Sequence, residues 1–280
     1  MKWRGRRGSR NIEDRRSSSG AKAGSIGGVG VIAVLLIGYF LGIDVTPLLQ
    51  DTAQPSGTPT ELTQADQEAG EFVSVTLADT EEVWAQLFRS QLGREYRPAT
   101  LVLFKDVTQS PCGGASGATG PFYCPADRKA YLDTAFFTVL EDRLGARGDF
   151  AAAYVVAHEI AHHVQNELGI LGQANQLHQQ SSPADSNAIS VRIELQADCL
   201  SGVWARTAAQ TFGTIDRSDF EEAVNAARQI GDDTLQSAAG QRPMPHTFTH
   251  GSAEQRSRWF VTGLQSGQIA ACDTFSTNDL

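Results

Sequence analysis

The stretch "AHEIAHHVQNELG", Ala157 to Gly169, carries three histidines and two glutamates on a segment that otherwise reads as ordinary helix. Residues four apart on a helix lie on one face, a turn from each other. His158 and His162 therefore present two imidazoles to a common point, as a tetrahedral zinc ion requires. Glu159 is adjacent but rotated around the helix, so its carboxylate can act as a general base on an attacking water without being a ligand. This is the H-E-x-x-H arrangement. A solvated polar stripe is the competing reading, and the flanks argue against it. "AAAYVVA" precedes the histidines, and Ile160, Ala161 and Val164 lie among them, so most faces of the helix are apolar and His158 is expected to be buried.

Zinc needs a third protein ligand. The extended form of the motif is absent, because Gln165 and Leu168 stand where a glycine and a further histidine would be. "RIELQADCL" offers Glu194 and, one helical turn later, Asp198, in an otherwise apolar helix. Glu194 can ligate while Asp198 accepts the N–H of a ligand histidine, His158 by this reading, and so sets its tautomer. Acids on a helix surface are common. Their appearance beside a motif that lacks its third ligand favours the functional reading.

A hydrolase also needs a donor for the developing oxyanion. His250, two residues before a helix-capping Ser252, is the first candidate for this catalytic role, and His246 the second. Tyr131 and Tyr154 are weaker candidates, since such aromatics more often fill cores. His163 points away from the ligand face and is expected to be a supporting or surface residue. His178, in a polar stretch, is given no role.

The 280 residues are 41% apolar and 20% charged, which suits one globular domain with extensions. Up to Ala23, eight basic residues face only Glu13 and Asp14, leaving that segment six positive. Since the whole chain is at −9, the remainder is at −15 by subtraction. So acidic a body argues against a nucleic-acid partner. "GSIGGVGVIAVLLIGYFLGI", Gly24 to Ile43, is uncharged and long enough to cross a bilayer as a helix. Its basic flank is N-terminal. The positive-inside rule then predicts a single-pass signal anchor with the N-terminus cytoplasmic and the catalytic domain periplasmic or extracellular. The expected organisation is a basic cytoplasmic segment (1–23), a transmembrane anchor (24–43), a Pro/Gly/Thr-rich linker (44–63) and a domain over 64–280.

The four cysteines form no C-x-x-C pair, and an even count in an exported domain points to disulfides. Cys112 and Cys124 flank a Gly-rich loop that has little core of its own, and bridging them would contribute roughly 3 kcal/mol. Cys199 and Cys272 are then the remaining pair.

Helical spacing is expected in "EEVWAQLFRSQLG", "TAFFTVLEDRLG", "GDFAAAYVVAHEIAHHVQNELG" and "NAISVRIELQADCLSGVWARTAAQTFG". Two more helices open with Ser218…Glu221 and Ser252…Gln255 capping boxes. "TLVLFKDV" and "PFYCPADRKAYLD" read as strands, and 172–186 as a polar loop. The fold class is therefore α+β, predominantly helical with a small β-sheet, preceded by one transmembrane helix.

At "MKWRGRR…NIEDRR", "CGGASGATGPFYCPADRKAYLD", "AHEIAHHVQNELGI", "ELQADCLSGVWA" and "HGSAEQRSRWF" the chain resembles the neutral zinc metallopeptidase family of bacterial membrane-anchored proteins. The resemblance implies a zincin-like domain with one zinc ion, His158, His162 and Glu194 as ligands, and Glu159 as catalytic acid/base. It supplies no substrate. The function expected is a zinc-dependent metalloendopeptidase acting on a peptide or protein, with extended substrate paired to "TLVLF" or "KAYLD". Two alternatives stand beside it: a non-catalytic membrane-anchored binding protein with a structural zinc, and a zinc hydrolase of cell-wall peptide amides.

Overall fold

The computed structural model describes residues 1–17, 61–116 and 120–280. The expected anchor, 24–43, and most of the expected linker lie outside the described residues. Among those described, no helix is long and apolar enough to cross a membrane.

The fold is mostly helical with a small sheet. Strand β1 (Ile12–Asp14) is followed by helix α1 (Gln64–Leu87), which continues as a π-turn over Phe88–Leu92. Strands β2 (Thr100–Phe104), β3 (Val107–Ser110), β4 (Gly113–Ser116), β5 (Phe122–Cys124) and β6 (Lys129–Asp133) come next. Helices α2 (Ala135–Asp142), α3 (Asp149–Glu167), α4 (Ile170–His178), α5 (Pro183–Phe212), α6 (Arg217–Gln229), α7 (Asp232–Ala238) and α8 (Ala253–Ser266) complete the order.

The main sheet runs β1-β2-β6-β5, with β1, β2 and β6 parallel and β5 antiparallel to β6. Both "TLVLF" (β2) and "KAYLD" (β6) are interior strands with neighbours on either side. Neither can pair with extended substrate as expected, because their backbone hydrogen-bonding groups are already engaged. β3 and β4 form a separate antiparallel hairpin.

Residues 1–16 depart most from the expected organisation. They were expected to stand apart from the domain, and instead they are built into it: β1 pairs in register with Leu101–Leu103, and Trp3 is buried against Phe72.

Helix α3 is the centre of the molecule. Phe150, Tyr154, Val156, Ala157, Ile160, Ala161 and Val164 bury nearly its whole circumference, as expected of a helix apolar on all faces. Helix α5 packs along it. Ser182 caps α5 by accepting from the Asp185 backbone N–H, and Pro183 stands at the first helical position. The polar stretch 172–186 is therefore α4 plus the first turn of α5 rather than a loop. Helix α6 is capped by Asp216, with Asp219 completing the box, and not by Ser218 and Glu221. The Ser252…Gln255 box at α8 is present.

Helices α5 and α8 meet backbone to backbone. A Cβ on Gly202 would overlap the Phe260 carbonyl, and one on Gly263 would overlap the Cys199 carbonyl. The Cys199–Cys272 disulfide closes the same crossing, and Cys112–Cys124 ties the hairpin to β5. Both pairings match the expectation. The close crossing is what lets a side chain from α8 reach into α5 beside the candidate site.

Candidate metal centre and active site

His158, His162 and Glu194 each offer a ligand atom, and these atoms lie within 4.8 Å of one another. The two rings, one turn apart on α3, stand 4.8 Å apart and nearly perpendicular, at 88°. Glu194 comes from α5: its Oε2 is 3.0 Å from His158 Nε2 and its Oε1 is 3.5 Å from His162 Nε2. Both Nε2 atoms and the carboxylate therefore converge on one point between the two helices.

The opposite side of each ring shows that this convergence is held in place. His162 Nδ1 is 2.8 Å from Gln165 Oε1. Gln165 uses its own Nε2 to donate to the Ile193 carbonyl and Gln196 Oε1, so its oxygen can only accept, and His162 must carry its proton on Nδ1. That leaves the Nε2 lone pair free for a metal. Gln196 in turn donates to the carbonyl of Cys272, so the chain of contacts ends at the disulfide.

His158 Nδ1 is 2.9 Å from Asp198 Oδ1, close enough for a charge contact but off the direction of a good hydrogen bond. Asp198 is wholly buried and also receives the Tyr154 hydroxyl and a forked Arg256 guanidinium, at 2.8 and 3.0 Å. Burial alone would raise the Asp198 pKa. Arg256 and His158 outweigh that and hold it below the ordinary value, so it is a carboxylate. Burial pushes His158 down, but Asp198 and Glu194 carry it up to about 10. Metal binding at this ring would therefore be coupled to loss of the proton that Asp198 and Glu194 favour. A His₂Glu donor set, with an acceptor oxygen behind each ring, fits a zinc ion.

Glu159 is 8% exposed and makes no hydrogen bond or ion pair among the described residues. Burial raises its pKa, against the pull of His162 and His158. A carboxyl shifted upward and left without a hydrogen-bond partner suits proton transfer.

His250 sits on a turn organised by Asp232, whose carboxylate accepts the backbone N–H groups of Thr249, His250 and Gly251. The other Asp232 oxygen is 3.2 Å from His250 Nδ1. A Cβ on Gly251 would lie 3.1 Å from Leu195, so this turn rests against α5 beside Glu194. Burial opposes the charged ring, but Asp232 and Glu194 together raise the His250 pKa, while the side chain stays half exposed.

The other candidates fall away. His246 is exposed, and its backbone carbonyl receives Asn187. Tyr131 donates to Asp127 and stacks on Phe122, and Tyr154 is a core residue serving Asp198. His163 is 1% exposed, donating to the Arg97 carbonyl and receiving the Tyr123 hydroxyl, so it is neither a ligand nor a surface residue. His178 contacts Ser186. Gln165 and Arg256 escaped the sequence reading, although both carry signals. Gln165 lies three residues beyond His162 on the same helical face. Arg256 shares a face with the buried Trp259 and Phe260, so a cation sits on an apolar stripe and needs a buried acid.

The family model described as "Putative neutral zinc metallopeptidase" matches residues 1–275. The chain belongs to this family. It is 45% identical to the uncharacterized protein YpfJ of Escherichia coli strain K12, over 98% of this chain and 99% of that one. An uncharacterized protein of Mycobacterium tuberculosis strain H37Rv is 41% identical, over 76% of this chain and 74% of its own length. A counterpart in Mycobacterium bovis matches to the same extent. No solved structure matches. As a member of this zinc peptidase family, the chain carries a three-residue group able to hold the metal that the family name implies.

Proposed function

We propose that this protein is a zinc-dependent metalloendopeptidase that hydrolyses peptide bonds on the extracytoplasmic side of the membrane. One observation carries the reading: Glu159, one residue from His158 on the helix that supplies both histidines, has no hydrogen-bond or ion-pair partner of its own among the described residues. A structural metal site has no use for a carboxylate left without a partner beside its ligands, whereas a general base on an attacking water needs one.

His158, His162 and Glu194 would hold the ion. Zinc in such a site supplies Lewis-acid polarisation of a carbonyl and eases deprotonation of water near neutral pH. Glu159 takes the proton of the attacking water and passes it to the leaving amine, a task its raised pKa supports. His250, whose charged form Asp232 favours, donates to the developing oxyanion. Asp198 and Gln165 orient the two ligand rings. Two disulfides support an oxidising compartment for the domain.

The test compares the zinc-loaded full chain with Glu159→Gln and His158→Ala on a peptide library. Glu159→Gln should keep its zinc and lose cleavage, and His158→Ala should lose the metal. A wild type that binds zinc stoichiometrically and cleaves nothing, or a Glu159→Gln variant that cleaves normally, overturns the reading.

A further inference from the structure

Residues 1–16 are fastened to the domain along their whole length. Trp3 is buried, with its indole N–H donating to Asp149 at the start of α3. Arg6 forks onto Asp79 of α1, at 2.5 and 2.7 Å. Ser9 and Asn11 both donate to Glu81. β1 then forms one edge of the main sheet, and Lys129 of β6 reaches across to Glu13. Arg16, 7% exposed, donates to the Asp66 carbonyl in the first turn of α1.

The receiving surface has the shape of this segment. A Cβ on Gly70, inside α1, would overlap the Arg16 guanidinium, and a Cβ on Gly8 would fall 2.5 Å from Ser74 Oγ. Glycine inside an exposed helix costs about 1 kcal/mol of propensity. At Gly70 it leaves space that the N-terminal segment fills.

This packing bears on topology. The expectation that the N-terminus stays cytoplasmic treats its basic residues as free charges. In the structure Arg4 pairs with Glu68, Arg6 with Asp79, Arg15 with Glu13 and Arg16 with Asp14. A segment supplying a strand to the sheet cannot also lie across a bilayer from it. Arg16 and Asp66 are in contact, so the described residues that flank 18–60 lie close together.

We infer that the N-terminal segment is a docked part of the catalytic domain and lies on the same side of the membrane as that domain, whatever path the uncharged stretch 24–43 takes. The inference does not depend on the reaction. With the two disulfides, it places the N-terminus in the oxidising compartment as well.

The experiment uses the full chain in its native membrane, with one added cysteine at a time. Ser17→Cys and Asn278→Cys are exposed positions that leave the basic residues unchanged, and among the described residues no native cysteine is free. A membrane-impermeant maleimide is applied to intact spheroplasts and to lysed ones. Both positions should label without lysis. If both label only after lysis, the same-side inference stands and the extracytoplasmic reading fails. If one labels and the other is protected until lysis, the inference is overturned. As a second measurement, Gly8→Cys with Ser74→Cys places two Cβ atoms 3.4 Å apart, at the near limit for a disulfide. Mild oxidation of isolated membranes should join them, and failure to cross-link overturns the docking.

Discussion

Gln165 Oε1 accepts the His162 Nδ1–H at 2.8 Å, and the same amide is held by the Ile193 carbonyl and Gln196 of the neighbouring helix. One residue thus orients a candidate ligand on α3 and ties it to the helix that carries Glu194. Partners of this kind are typically worth 10- to 100-fold in metal affinity. Gln165→Met, of similar length but without the acceptor, should weaken zinc binding by about that factor, measured by competition with a chromophoric chelator. Gln165→Glu keeps an acceptor toward His162 but sets an oxygen against the Ile193 carbonyl and Gln196 Oε1, so it should not restore wild-type affinity. Equal affinity in wild type and Gln165→Met would remove Gln165 from the site.

Arg256 and Asp198 form the second support. Their side chains are 3% and 0% exposed, so neither charge is compensated by solvent. Removing one partner of such a pair usually costs about 3–5 kcal/mol, because the other stays buried and charged. Arg256→Met should therefore destabilise the metal-free protein by about that amount in urea unfolding. The double variant Arg256→Met with Asp198→Asn should recover part of the loss. If the single variant is as stable as wild type, the fork contributes nothing to the fold.

The Arg6–Asp79 pair gives a pH test of N-terminal docking. Burial raises Asp79 from its ordinary value to about 6, against the pull of Arg6. A carboxyl whose folded pKa exceeds its unfolded value contributes stability that is fully present below about pH 4 and lost as pH rises through 6. Asp79→Asn removes this dependence. Melting profiles from pH 4 to pH 7 should therefore fall relative to those of Asp79→Asn, by on the order of 2 kcal/mol across the window. Parallel profiles would mean that Asp79 is not buried beneath the N-terminal segment.

The candidate metal ligands were legible because an i, i+4 spacing on an apolar helix admits few meanings, and Glu194 followed from what H-E-x-x-H lacked. Both cysteine pairings followed from position along the chain. What stayed hidden shares a physical cause, partnership across long stretches of sequence. Arg6 and Asp79 are 73 residues apart, and Trp3 and Asp149 are 146 apart. An arginine-rich terminus reads as a solvated flank until the acids that receive it are in view. The strand order could not be read either: "TLVLF" and "KAYLD" look alike whether a strand lies at an edge or inside a sheet. The stretch "ILGQANQLH" forms α4 although its glycine and amides resemble a loop, since packing on α3 and α5 outweighs propensity.

His250 carries the last prediction, because its neighbours set both its position and its charge. Asp232 holds the turn through three backbone N–H groups and faces the ring at 3.2 Å. A donor to an oxyanion works only while protonated, and removing one such donor typically costs 10²–10³ in kcat. His250→Ala should therefore keep its zinc and lose kcat by about that factor, with KM little changed. The sign of the pH effect follows from the raised pKa of the ring. Activity should fall on the alkaline side as His250 deprotonates. Asp232→Asn removes the carboxylate that favours the charged ring, so it should move that alkaline limb to lower pH while preserving the fold through the remaining amide oxygen. An alkaline limb that stays put in Asp232→Asn would assign the oxyanion donor elsewhere and leave His250 as a residue of the turn alone.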